Sequence, residues 1–178
     1  MERAIRRTFV AVATTLAVCL IGRPLAAQGG KVDPCSLLTR DEVQSATGKS
    51  NYQPADRGDP GDGLGGGDGC TYSNVGFNVG PNPPPPVNVV AIAPNARGRY
   101  VEWYRKQPVR QGCARENVPG LGVDGFIESC PRSPDVRVYM RGRTHDAVVG
   151  IDVKPMGGVA AAKPVVIALA RIVAARIK

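Results

Sequence analysis

Histidine is almost missing from this chain of 178 residues, with His145 the single one. No Cys-x-x-Cys pair occurs either, so a zinc site with the usual Cys/His spacing cannot be assembled from local motifs. Histidine-based catalysis is confined to His145, expected at a hairpin turn, and no Gly-x-Ser-x-Gly elbow accompanies it. Aromatic residues make up only 5% of the sequence, which weighs against a carbohydrate-stacking surface. No block of five like charges occurs, so the basic excess reads as a solvated surface and no nucleic-acid partner is expected. No apolar run reaches the roughly 20 residues that a membrane-spanning helix requires. Neither a metal nor a cofactor is expected.

What is present begins with a leader. Arg3, Arg6 and Arg7 precede an apolar run from Phe9 to Gly22, and small residues follow at Ala26-Ala27. Residues 1–27 therefore read as a secretory signal peptide, with the mature chain starting near Gln28 and exported to the periplasm or beyond. A twin-arginine route is the weaker reading, because Ile5 sits where Ser or Thr is usual. Val18 before Cys19 weighs against lipid attachment there. The leader holds four Arg and one Glu, so its removal lowers the net charge from +8 to +5. Residues 28–178 fit a single domain with one conventional core.

Four cysteines remain, Cys35, Cys70, Cys113 and Cys130, an even number that points to disulfides in an exported chain. Of the three possible pairings, Cys35–Cys70 with Cys113–Cys130 is favoured, because each pair brackets one compositionally distinct loop region.

Thr39 with Glu42 three residues later forms a capping box, and Gly48 supplies a stop, which predicts a helix over 39–47. Residues 54–69 are dominated by Gly, Asp and Pro and are expected to form a mobile loop. Alternation predicts a strand over 71–79 with Val75, Phe77 and Val79 on one face, then a proline-rich link at 80–86 and a second strand at 87–93. Asn95 is expected to cap a helix to about Gln107, with Tyr100, Trp103 and Tyr104 packing a core. Asp135–Arg141 and His145–Val153 predict a hairpin. Met140 should face Ala147, Val138 Val149 and Val136 Ile151, with Arg141 meeting Asp146 on the outer side. A final helix is predicted after Pro164, with Val166, Leu169, Ala170, Val173 and Ile177 on one stripe. The fold class is α+β, an antiparallel sheet of about four to six strands packed by about three helices and stabilised by disulfides.

Strings that could carry chemistry fail on context. Gly61 to Gly66 matches Gly-x-Gly-x-x-Gly, but no strand precedes it and no helix follows. Thr47-Gly48-Lys49-Ser50 resembles a P-loop ending without its first glycine. Asp56, Asp59, Asp62 and Asp68 could gather calcium ligands, but not at EF-hand spacing.

The segment VDPCSLLTRDEVQSATG, the later CTYSN at 70–74 and PGLGVDGF at 119–126 together resemble the bacterial envelope family known as domain of unknown function 3558. The resemblance implies a small α+β domain in which Cys35 and Cys70 are partners, and it implies no reaction. Val123 departs from the family's glycine turn. The expected function is that of a non-enzymatic exported module binding an envelope or extracellular partner, with Arg137, Tyr139 and Arg141 as an outward row and Trp103 as the second candidate. The alternatives are a hydrolase with an acid-based site assembled by the fold, and a secreted protein inhibitor presenting residues 54–69 or 80–86.

Overall fold

Helix α1 (Arg40–Thr47) starts as expected, on a reciprocal capping box. The Glu42 amide donates to the Thr39 hydroxyl at 3.3 Å, and the Thr39 amide donates to the Glu42 carboxylate at 2.8 Å. Gly48 ends it in the left-handed region at φ 65°. The structure, a computed structural model, describes residues 30–53, 55–58, 67–74, 83–96, 98–130 and 133–177.

Among the described residues seven strands form one antiparallel sheet: β1 (Asp56–Gly58), β2 (Asp68–Tyr72), β3 (Val87–Ile92), β4 (Ala114–Asn117), β5 (Val123–Ser129), β6 (Asp135–Arg141) and β7 (Asp146–Asp152). Their order across the sheet is β1-β2-β3-β7-β6-β5-β4. Two further helices, α2 (Tyr100–Arg105) and α3 (Val159–Arg176), complete the α+β fold. The strand count exceeds the expected range because β4 and β5 add a hairpin and Asp56–Gly58 adds an edge strand.

The β6–β7 register is the predicted one, with Met140 opposite Ala147, Val138 opposite Val149 and Val136 opposite Ile151. These side chains, with Val87, Val89 and Ile127, form the buried face against which α3 lays Ala162, Val166, Leu169, Ala170 and Val173. The predicted apolar stripe of α3 is thus the buried one. The helix begins earlier than expected, at Val159 after the left-handed Gly157 and Gly158, and Pro164 lies inside it at the loss of one backbone hydrogen bond. Arg176 fastens its end to α1, donating to Glu42 at 2.8 and 2.6 Å and to the Leu37 carbonyl at 2.9 Å.

Both favoured disulfides form, Cys35–Cys70 and Cys113–Cys130. The first ties the turn before α1 to β2, where the buried Tyr72 also donates to the Leu38 carbonyl at 2.5 Å.

Other expectations shift. The ends of the 54–69 segment are strand, since β1 pairs with β2 through backbone groups that do not depend on apolar side chains. Residues 59–66 lie outside the described residues, as do Val75, Phe77 and Val79 of the expected 71–79 strand. Asn95 does not cap α2. It closes a tight turn with Gly98, and the helix starts at Tyr100.

Candidate functional site

The opposite face of the sheet carries a second, smaller core of Val90, Ile92, Val101, Phe126, Tyr139 and Val148, covered by α2. The entry to α2 is fixed from a distance. The carboxylate of Asp146 accepts the Val101 amide at 2.8 Å and pairs with Arg99 at 3.0 Å. Arg99 also donates to the carbonyls of Gly142 and, at 3.0 Å, Thr144, so the helix N-terminus is pinned to the β6–β7 turn. Asp146 is 1% exposed, and an anion beside the first helical amides suits the positive end of the helix.

Beneath α2 the aromatic rings stack. Tyr104 lies 4.8 Å from Tyr139, and Tyr139 4.8 Å from Phe126, all nearly parallel. The Arg115 guanidinium sits 5.0 Å from the Tyr104 ring and 5.1 Å from that of Phe126, within cation–π range. Its nitrogens are all spent. Two of them donate to Glu128 Oε2 at 2.7 and 3.1 Å, and the third reaches the carbonyls of Tyr104, Arg105 and Gln107 at 3.3, 3.1 and 3.0 Å. These carbonyls belong to the last turn of α2 and to the turn that leaves it, where Tyr104 also accepts the Gln107 amide at 3.0 Å, so one side chain from β4 ties both together.

Glu128 is buried on β5. Its Oε1 accepts from the Tyr104 hydroxyl at 2.8 Å and from Arg110 at 3.3 Å. Burial raises the Glu128 carboxyl, but the hydrogen bonds from Arg115 and Tyr104 and the Arg115 charge outweigh it, and the net direction is down. Every oxygen of this carboxylate is engaged and it stays ionised, which suits an anchor and not a general acid. Burial pushes the Tyr100 hydroxyl up to about 12 and raises that of Tyr139 further.

A chain of ion pairs runs along the outside of α2. Glu102 pairs with Lys106 at 2.9 Å and with Arg141 at 3.7 Å. Asp124 pairs with Arg141 at 3.9 Å and with Arg105 at 3.6 Å. Asp124 holds a left-handed backbone at φ 67° in the irregular stretch between Val123 and Phe126, a conformation Asp tolerates.

The expected outward row on β6 is therefore not an open surface. Tyr139 is 1% exposed under α2, because a six-residue helix covers a face that alternation alone assigns to solvent. Arg137 bonds Asp135 at 2.5 Å, and Arg141, opposite Asp146 in the ladder as expected, forms its ion pairs with Glu102 and Asp124 while the Asp146 charge is taken by Arg99. Trp103, expected in a core, turns outward at 41% exposure beside Tyr100 and Tyr104, and Val109 follows at 43%. Glu128, Arg115 and Arg110 were not anticipated; the apolar pair Phe126-Ile127 next to Glu128 was the one signal pointing at a buried carboxylate.

His145 is buried, with Nδ1 3.2 Å from the Thr144 hydroxyl. Among the described residues no group of three or more His, Cys, Asp or Glu side chains is placed to hold a metal ion. Asp68 pairs with Lys31, while Asp59 and Asp62 lie outside the described residues.

Comparison with known protein families, with characterised proteins and with solved structures finds no match for this chain.

Proposed function

We propose that this chain is an exported, non-enzymatic envelope module that binds its partner or ligand through the face formed by α2 and the segment 106–112. One observation carries the reading. Among the described residues the exposed large apolar side chains are Trp103 and Val109, and they flank the backbone that Arg115 holds at Tyr104, Arg105 and Gln107, ahead of the Cys113–Cys130 disulfide. An aromatic on a fixed mount binds without paying to order itself, as interface anchors do. The charged side chains beneath it, Arg115 and Glu128, are spent on one another and on that mount, which favours a binding role for this face.

The leader and the two disulfides support export, since such bonds persist in oxidising compartments. Among the described residues no helix is long and apolar enough to cross a membrane. The opening motif, with Cys35 bound to Cys70, supports membership in the envelope family of domain of unknown function 3558.

A thermal-shift panel tests the reading, comparing the oxidised protein with Trp103→Ser against cell-wall fragments, anionic polymers, calcium and lipid vesicles. A true ligand raises the melting temperature of the parent by mass action and raises that of the variant less. Equal shifts for both proteins with every ligand that binds would refute the assignment of this face.

A further inference from the structure

The segment from Trp103 to Arg115 carries four cations, Arg105, Lys106, Arg110 and Arg115, and no carboxylate. Arg115 is consumed inside the mount and Arg105 is turned back toward Asp124 and Asn117, at 2.6 Å from the latter. Lys106 and Arg110 remain at the rim, with 71% and 66% of their side chains exposed. Between and beside them stand Trp103 and Val109 at 41% and 43% exposure. The carboxylates within reach are already bridged: Glu102 by Lys106 and Arg141, and Glu128 by Arg115 and Arg110. This short stretch thus exposes two apolar side chains and two cations together.

From this juxtaposition we infer that the 103–112 prong docks on the surface of a phospholipid bilayer bearing anionic headgroups. The inference rests on the proposed role of this face and names its partner. Lys106 and Arg110 meet headgroup phosphates, while Trp103 and Val109 enter the boundary between headgroups and acyl chains. Indole rings partition to that boundary, and cations beside it add attraction to an anionic leaflet. A soluble polyanion such as a sulfated polysaccharide would use the same cations but would have no use for Val109, an aliphatic side chain in water. Arg115 already holds the carbonyls of Tyr104, Arg105 and Gln107, so the stretch docks without first folding on the membrane.

The chain has a single tryptophan, and it stands in the prong, so its fluorescence reports the event directly. The oxidised protein is titrated with phosphatidylcholine vesicles, with vesicles in which a third of the lipid is phosphatidylglycerol, and with dextran sulfate. Expected is a shift of Trp103 emission to shorter wavelength, with quenching by brominated acyl chains, on the anionic vesicles only. Replacing both rim cations, Lys106→Ser with Arg110→Ser, is expected to weaken vesicle partition about 25-fold, on the scale of such charges near an anionic surface. Val109→Ser should weaken it several-fold. Because Arg110 also touches Glu128, the Lys106→Ser single variant is measured beside the double one, and sedimentation of Trp103→Phe with vesicles checks that an aromatic suffices.

Vesicle binding with unshifted Trp103 emission would overturn the inference. So would binding unchanged in the Lys106→Ser, Arg110→Ser protein. Binding to dextran sulfate alone, with Trp103 dependence, would overturn the lipid assignment while leaving the face as a binding face. Loss of Trp103 dependence for every ligand would remove the face itself.

Discussion

Arg115 and Glu128 are direct register partners across the β4–β5 ladder, and two guanidinium nitrogens of the first reach Oε2 of the second at 2.7 and 3.1 Å. Both side chains are nearly inaccessible, at 11% and 2% exposure. A pair so placed matters most when half of it is removed. Glu128→Ala and Arg115→Ala are each expected to lower stability by about 3–5 kcal/mol, because each leaves a buried charge without its partner. The double variant Arg115→Met, Glu128→Leu should lose less than either, since an apolar pair leaves no charge to desolvate. Urea denaturation of the three proteins checks this, and a double variant less stable than either single one would contradict it.

Acid should unfold the protein through two carboxylates. The Arg176 hydrogen bond lowers Glu42 against a smaller opposing effect of burial, and Glu128 is lowered on balance despite its burial. A carboxyl held down in the fold binds its proton less tightly there than in the unfolded chain. The stability it contributes is therefore complete above the ordinary glutamate value of about 4.3 and is lost as pH falls through the depressed folded value. Glu128→Gln should flatten the acid limb of the melting-temperature profile and Glu42→Gln should flatten it less, its pair with Arg176 being half open to solvent. An acid limb unchanged in both proteins would contradict the assignment.

The two disulfides should differ in what they protect. Removing Cys35–Cys70, with a separation of 35 residues, is expected to cost about 3.8 kcal/mol, and removing Cys113–Cys130, with a separation of 17, about 3.1 kcal/mol. The second lies at the base of the prong, so Cys113→Ser with Cys130→Ser should speed amide exchange in residues 106–113 while α1 and α3 keep their protection. Exchange that rises evenly over the domain would show that this bond serves global stability alone.

Gly142 marks a close approach of the β6–β7 turn to the end of α3. A Cβ there would overlap the backbone carbonyl of Ile177 and come within 2.8 Å of that of His145. Gly142→Ala is expected to cost about 3 kcal/mol, because backbone on both sides must move. The melting temperature measures this, and a neutral result would place the α3 terminus elsewhere.

The parts of this fold that could be read from the residues are those whose determinants are local. The Thr39–Glu42 box spans three residues, and the β6–β7 register follows from alternation that satisfies one buried face over a short turn. The α3 stripe is periodic enough to survive an internal Pro164. What escaped depends on residues far apart in the chain. Asn95 looks like the cap of α2, but the cap that acts is Asp146, 45 residues beyond the Val101 amide it accepts. Alternation in β6 correctly separates Tyr139 from Val138 but says nothing of whether a second layer covers the outer side, and α2 does. β4 and β5 sit among turn residues, and the irregularity between Val123 and Phe126 breaks the period by which β5 would be recognised. The Arg115–Glu128 mount arises from that hairpin, so the candidate site was legible only as Trp103.

The central claim is that residues 103–112 are where this domain meets its partner. Amide hydrogen exchange with and without a ligand that raises the melting temperature tests it most directly. New protection is expected at Trp103 to Gly112, with the α1 and α3 amides unchanged. Protection confined to the surface around Arg40, Gln44 and Tyr52, or to that around Lys31, Arg57 and Asp68, with residues 103–112 unchanged, would contradict it.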